Sequence, residues 1–179
     1  MKKFLTFSVL FLLSACQSTM IRTDGSYFES SQHATIEITQ TLEVSPNSAR
    51  AFLQNGEIIP LAKLDLYSVN CEVEINTVSE ARQLIKPEKF NIIAIAQEES
   101  PIVMRKSVRV ASLTYAWSSD SPVDIKRYYQ FRLSAQDPDS ESQVRALICR
   151  GVQEEPYQAE LPTLEEMQAA SGTYIKFNL

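Results

Sequence analysis

Apolar and polar residues alternate along most of the chain, and this period of two is typical of β-strands with one buried face. In the segment 35–44 the apolar members are Ile36, Ile38, Leu42 and Val44, with polar or charged residues between them. A continuous apolar run at 90–97 indicates a buried strand. Further strands are predicted at 67–75, 128–134, 144–149 and 174–179, and one or two at 104–117. The pattern therefore predicts a mainly β protein.

Two local signals predict a hairpin and a helix. Asn55 and Gly56 lie between two short apolar runs, and both residues tolerate the positive φ that a type I′ turn requires. Thr163 followed three residues later by Glu166 forms a capping box, which predicts a helix over 164–171 that Gly172 ends. The segment 78–85 is compatible with a second short helix or with a polar connection.

The N-terminal segment 1–15 has the pattern of an export signal. Lys2 and Lys3 precede an apolar run of about ten residues, which is too short to span a membrane. The run ends in Leu13-Ser14-Ala15-Cys16, which resembles the lipobox of bacterial lipoproteins, where a peptidase cleaves before an acylated cysteine. The resemblance implies a lipid anchor such as palmitate on Cys16, and Gln17 after it implies the outer membrane. The alternative is an ordinary secretory signal that leaves Cys16 as a free thiol.

The rest of the chain is predicted to be a tether followed by one domain. Residues 16–34 are rich in Ser, Thr and Gln, which predicts a flexible tether. Without residues 1–15 the 179-residue chain keeps 164, enough for one domain, which we place at 35–179. We expect a single antiparallel β-sandwich or partly open barrel with one or two short helices.

Charge and cysteine content narrow the possible partners and the compartment. Loss of Lys2 and Lys3 with the signal takes the formal charge from −5 to −7, which disfavours a nucleic-acid partner and polybasic adhesion to a membrane. The lipid is then the expected membrane contact. With Cys16 assigned to lipid, Cys71 and Cys149 remain as a pair, and an oxidising compartment such as the periplasm predicts a disulfide between them.

The sequence lacks the common catalytic and cofactor-binding motifs. Its four glycines do not form a nucleophile elbow or a phosphate-binding loop, and its single histidine, His33, lies in the predicted tether. Asp137, Asp139 and Glu141 alternate as in a calcium site, but the glycine and distal glutamate of an EF-hand loop are missing, so a solvated hairpin tip is predicted. We therefore expect no metal, no cofactor and no enzymatic activity.

Two groups of side chains are candidates for function. Glu72 and Glu74 lie on one strand face and would suit an acid/base pair, although alternation on a solvated strand face explains them without chemistry. Aromatic residues beside basic ones would suit a peptide or glycan groove, although such a group is more often simply core plus rim. The ligand-binding candidates are Tyr115, Trp117, Arg127 and Tyr128.

Several stretches resemble a family of small uncharacterised proteobacterial lipoproteins. They are the run 49–56 that ends in Asn55-Gly56, the strand around Cys71, the run 147–151 around Cys149, and Pro162-Thr163-Leu164-Glu165-Glu166-Met167. The resemblance covers most of the predicted domain. It implies that the two cysteines and the hairpin belong to a shared framework, and it supplies no functional residues because the family has no assigned activity.

Three functions are compatible with these observations. The first is a non-catalytic envelope lipoprotein that binds another envelope protein or a cell-wall polymer. The second is a carrier of a small apolar ligand, which requires a closed apolar cavity. The third is a carboxylate-dependent hydrolase, which requires two carboxylates in a cleft whose pKa values are pushed apart.

Overall fold

The computed structural model describes residues 20–23, 26–29, 34–101 and 124–179. Within these ranges the chain forms twelve strands, one 3₁₀ turn at Leu61–Lys63 and one α-helix, α1 (Leu164–Ser171). The strands are β1 (Met20–Thr23), β2 (Ser26–Glu29), β3 (Thr35–Ile38), β4 (Leu42–Val44), β5 (Arg50–Gln54), β6 (Glu57–Ile59), β7 (Asn70–Ile75), β8 (Gln83–Ile85), β9 (Glu88–Pro101), β10 (Ile125–Ala135), β11 (Val144–Arg150) and β12 (Ile175–Asn178). The predicted mainly β class is confirmed.

Eight of these strands form one antiparallel sheet in the order β12-β3-β9-β10-β11-β7-β5-β6. The sheet curls into a half-barrel, so the partly open barrel rather than the sandwich is the architecture observed. Two short antiparallel pairs, β1 with β2 and β4 with β8, lie outside it. The β1–β2 pair falls within the segment predicted as a tether, and the proposed domain boundaries stay predictions.

The hydrophobic core lies on one face of the curled sheet and is covered by α1. Helix α1 contacts β5 and β7, and its Met167 is fully buried. On the strands every second residue points into this core, as the period of two predicts. Fully buried members include Leu53, Val73, Phe131 and Leu147.

Two strand predictions change in detail, and the structure decides between the alternatives for the segment 78–85. The segment 35–44 is not one strand, because the chain leaves the main sheet after β3, where the Thr39 N–H donates to the Tyr174 carbonyl, and β4 pairs with β8 instead. The segment 78–85 is a polar connection that ends in β8 and contains no helix. The apolar run at 90–97 is not a buried strand, since only one face of β9 meets the core and Ile93 is 61% exposed. The segment 104–117 lies outside the described residues.

The predicted hairpin and helix are confirmed, and they meet each other. Asn55 and Gly56 both have positive φ and join β5 to β6. Thr163 and Glu166 form the reciprocal capping box at the start of α1, and Gly172 follows its end with a φ of 56°. The Gly56 N–H donates to the Ala170 carbonyl at 3.0 Å. A Cβ on Gly172 would lie 2.5 Å from the Gly56 Cα, so the two glycines allow a close backbone contact.

Cys71 and Cys149 form the predicted disulfide. They lie directly opposite each other on the neighbouring strands β7 and β11, and both are fully buried. Cys16 and the export segment lie outside the described residues. Among the helices that the structure describes, none has the length and apolar character needed to cross a membrane.

Candidate functional site

The sequence-predicted candidates are only partly brought together. Tyr115 and Trp117 lie outside the described residues. Arg127 is at the rim of the sheet, where its Nη2 donates to the Pro156 carbonyl at 3.3 Å. Tyr128 lies on the face of the sheet opposite the core and is the one candidate among the described residues that contacts a larger polar cluster.

The loop 137–141 joins β10 to β11, as predicted for a hairpin tip. Its Asp137 accepts a hydrogen bond from the Asp139 N–H at 2.9 Å, which stabilises the turn. Among the described residues no three His, Cys, Asp or Glu side chains are grouped closely enough to hold a metal ion.

The register of the central strands places polar residues on one surface, which we call the polar face. On β7 the odd-numbered residues point into the core, so Asn70, Glu72 and Glu74 point to the opposite side. Arg150 on β11 pairs with both Asn70 and Tyr128, one on each neighbouring strand. These three form a row across the sheet.

Glu72 and Glu74 are ion-paired with arginines from both neighbouring strands. Arg50 on β5 spans the two, with Nη1 3.3 Å from Oε1 of Glu72 and Nη2 3.1 Å from Oε1 of Glu74. Arg150 contributes Nη2 at 2.9 Å from Oε1 of Glu72, and Arg145 contributes Nη2 at 2.7 Å from Oε1 of Glu74. We call these five side chains the carboxylate–arginine cluster.

A β-bulge brings Arg145 into this cluster. The register of β11 against β7 shifts between Val144 and Ala146, so an extra residue is inserted opposite Glu74. Strict alternation would send Arg145 away from the face that Ala146 occupies. The bulge instead lets Arg145 reach Glu74, while Val144 still points into the core.

The prediction that Glu72 and Glu74 lie on a solvated strand face is wrong. Glu72 is 2% exposed and Glu74 is 5% exposed, because the arginine side chains cover them. Burial raises the pKa of the Glu72 carboxyl, although the charges of Arg150 and Arg50 oppose the change. Burial is also the largest single effect on Glu74 and acts in the same direction, but the hydrogen bonds and the charges of Arg145 and Arg50 together outweigh it and lower the pKa of Glu74.

Arg150 of this cluster and Lys126 beside it form what we call the cation pair. Lys126 precedes Tyr128 by two residues on β10, so it lies on the polar face, and it is only 3% exposed. No described residue forms a hydrogen bond with Lys126 Nζ or Arg150 Nη1. Burial, together with the positive charge of Arg150, lowers the pKa of Lys126 to about 8, and the charge of Asp65 offsets this only in part.

Two buried amides accompany the cation pair. Asn70 is fully buried beside Arg150, and Gln153 is brought beside Lys126 by the bridge between Ile125 and Glu154. Both amide groups donate, Asn70 to the Ser68 carbonyl at 3.3 Å and Gln153 to Oδ2 of Asp124 at 3.0 Å. Their oxygens Oδ1 and Oε1 accept no hydrogen bond from the described part of the chain. Unpaired donors and acceptors are therefore grouped at this end of the sheet.

Tyr128 borders the cation pair, and two further aromatic residues lie exposed on the segments that Gln153 joins. The guanidinium of Arg150 lies 4.8 Å from the centre of the Tyr128 ring, and the Tyr128 hydroxyl donates to Oε2 of Glu98 at 2.8 Å. The Gln153 N–H donates to the Leu66 carbonyl, which holds the loop after the 3₁₀ turn against the segment after β11. Both segments carry exposed aromatics, Tyr67 at 60% and Tyr157 at 76%.

Comparison with known proteins finds no match for this chain among protein families, curated proteins or solved structures. The site is therefore interpreted from its own chemistry. Sequence reasoning singled out Tyr128 because basic residues precede it, and it noticed Glu72 and Glu74 by their alternation. It missed Arg50, Arg145 and Arg150 as their partners, because pairing across strands depends on a register that only the folded sheet defines.

Proposed function

We propose that this protein is a non-catalytic lipoprotein of the bacterial envelope that binds another envelope protein or a cell-wall polymer. The observation that carries the binding function is the cation pair, whose buried donors find no partner within the described residues. A buried polar group that lacks a hydrogen bond costs about 1–3 kcal/mol, so a ligand that completes it would gain that free energy on binding. Tyr67 and Tyr157, exposed on the two segments that the Gln153 N–H joins, suit a peptide or glycan surface.

The anchor part of the proposal rests on the sequence. The segment 1–15 and Cys16 have the pattern of a lipoprotein export signal, and Gln17 is compatible with the outer membrane. Two or more acyl chains would hold the protein stably at the membrane. Replacing Cys16→Ser should release a folded, disulfide-bonded protein into the periplasm. Retention of this variant in the membrane fraction would refute the lipid anchor.

The binding part can be tested by site-specific photocrosslinking in intact cells. A photoreactive residue at Tyr157, which is exposed on the same segment after β11 as Gln153, should crosslink to the partner, whereas one at Leu84, which is 63% exposed on β8, should not. Lys126→Met should abolish the crosslink from position 157. Digestion of the cell wall distinguishes a wall polymer from a protein partner. Equal crosslinking from both positions, unaffected by Lys126→Met, would refute binding at this site.

One observation favours a second function, a carboxylate-dependent hydrolase. Glu72 and Glu74 lie two residues apart on one face, and their pKa values are shifted in opposite directions, as a general acid and its carboxylate partner require. We rank it second because the arginines that hold both carboxylates also cover them. Hydrolysis of purified cell wall by the wild type, lost in Glu72→Gln, would place it first.

The apolar-ligand carrier receives no support from the described residues. The inner face of the half-barrel is filled with buried side chains, including Phe131, Leu53 and Met167, and α1 packs on that face. A carrier would need a closed apolar cavity in this place.

A further inference from the structure

We propose that the cation pair binds a peptide carboxylate of the partner, with an oxygen between Nζ of Lys126 and Nη1 of Arg150. This inference rests on the binding function proposed above and names the ligand group that the site takes. A peptide carboxylate is available both at the end of a protein chain and in the peptide part of a cell-wall polymer.

The need for an anion follows from the donor set. Lysine and arginine side chains carry only donors, so neither can satisfy the other, and their like charges repel. Among the other donors of Arg150, Nη2 is already used by Glu72 at 2.9 Å. Both oxygens of Asp65, the carboxylate whose charge acts on Lys126, are used in its own loop: Oδ1 accepts from the Tyr67 N–H and Oδ2 from the Ser68 hydroxyl. An external anion is the group that would complete both cations.

The local charge favours an anion with a single negative charge. In the carboxylate–arginine cluster three arginines face two glutamates, which leaves one positive charge in excess. Lys126 adds a second, and two carboxylates offset both: Asp65, whose charge acts on Lys126, and Asp124, whose Oδ2 accepts from Gln153. Glu98, bonded to Tyr128 at the rim, opposes any larger negative charge. A carboxylate adds only one negative charge to this balanced site, so it is favoured over a doubly charged phosphate.

The two amides explain why the carboxylate should belong to a peptide. Asn70 Oδ1 and Gln153 Oε1 are acceptors that no described residue uses, and both are buried next to the cation pair. A ligand that satisfies them must carry an N–H or O–H donor close to its carboxylate. The terminal residue of a peptide has this arrangement, since its own amide N–H lies next to the carboxylate.

The test is a titration of the detergent-purified wild-type protein with the dipeptide N-acetyl-alanyl-alanine, followed by calorimetry at fixed ionic strength. We expect saturable binding of the acid and at least tenfold weaker binding of the same dipeptide as its C-terminal amide. Lys126→Met should weaken binding of the acid at least tenfold, and Lys126→Arg, which keeps the charge, should retain most of it. In the wild type, the acid should also shift the Lys126 side-chain NMR signal, a measurement that does not depend on a variant folding.

Three outcomes would overturn the inference. The first is equal binding of acid and amide, and the second is no shift of the Lys126 signal. The third is that inorganic phosphate displaces the dipeptide and binds as strongly as the dipeptide does, which would make the site a general anion site. The binding function is judged separately. If the crosslink from position 157 forms but the protein does not bind the dipeptide, the binding function is retained and the peptide carboxylate is refuted as its ligand.

Discussion

Reduction of the Cys71–Cys149 disulfide removes a covalent link between two central strands and should strongly destabilise the fold. The two cysteines are 78 residues apart in sequence. The loop-closure entropy for a ring of that length corresponds to about 4.5 kcal/mol at 25 °C. Domains of this size have a net stability of about 5–15 kcal/mol, so the reduced protein should lie close to its unfolding threshold.

The assay is urea unfolding of the mature chain carrying Cys16→Ser, followed by far-UV circular dichroism with and without reductant. Because both samples have the same side chains, the difference isolates the covalent link. Reduction requires prior unfolding in urea, since Cys71 and Cys149 are fully buried. The oxidised protein should also show the smaller dependence of unfolding free energy on urea, because its unfolded chain exposes less surface. A difference in stability below about 1 kcal/mol would refute the loop-entropy reasoning.

Three further predictions concern stability and can be checked by urea unfolding. Glu74→Gln should lower the free energy of unfolding by about 1–2 kcal/mol at neutral pH, because it loses charged hydrogen bonds. The lowered pKa of wild-type Glu74 stabilises the folded protein above pH 4.5 and this contribution is lost as the pH falls further, so the cost of the substitution should shrink there. Its matched variant Glu72→Gln removes a carboxylate whose pKa is raised by burial, so it should cost less than Glu74→Gln. A larger cost for Glu72→Gln would contradict the directions of the two pKa shifts. Gly172→Ala should cost about 3 kcal/mol through the clash with Gly56 and its positive φ, and near-neutral behaviour would show that the backbone contact relaxes freely. At the other end of the same helix Thr163→Ala should cost only about 1 kcal/mol, the loss of one cap, and a cost as large as that of Gly172→Ala would argue against this ranking.

Features set by neighbouring residues could be predicted from the sequence. The capping box at Thr163 defines the start of α1 within its own first turn, and Asn55-Gly56 defines the turn between β5 and β6 by its backbone preferences. The pairing of Cys71 with Cys149 followed from counting cysteines rather than from geometry. These signals need no knowledge of the remainder of the chain.

Features set by distant residues could not be predicted. The break after β3 depends on pairing with strands that are distant in sequence, since β3 pairs with β12 and β9 whereas β4 pairs with β8. The burial of Glu72 depends on Arg50 and Arg150, which approach it only once β5, β7 and β11 have paired in register. Alternation predicts which side of a strand a residue occupies. It does not predict whether that side is open to water.

The contact between the hairpin turn and the end of α1 also bears on the chemical durability of the protein. Asn-Gly is the dipeptide most prone to deamidation, a reaction that begins when the glycine nitrogen attacks the asparagine side chain. Here the Gly56 nitrogen donates to the Ala170 carbonyl, and the Gly172 backbone packs against Gly56. The helix end therefore holds the attacking nitrogen in place. Fraying of α1 would make Asn55 more prone to deamidation even while the sheet stayed intact.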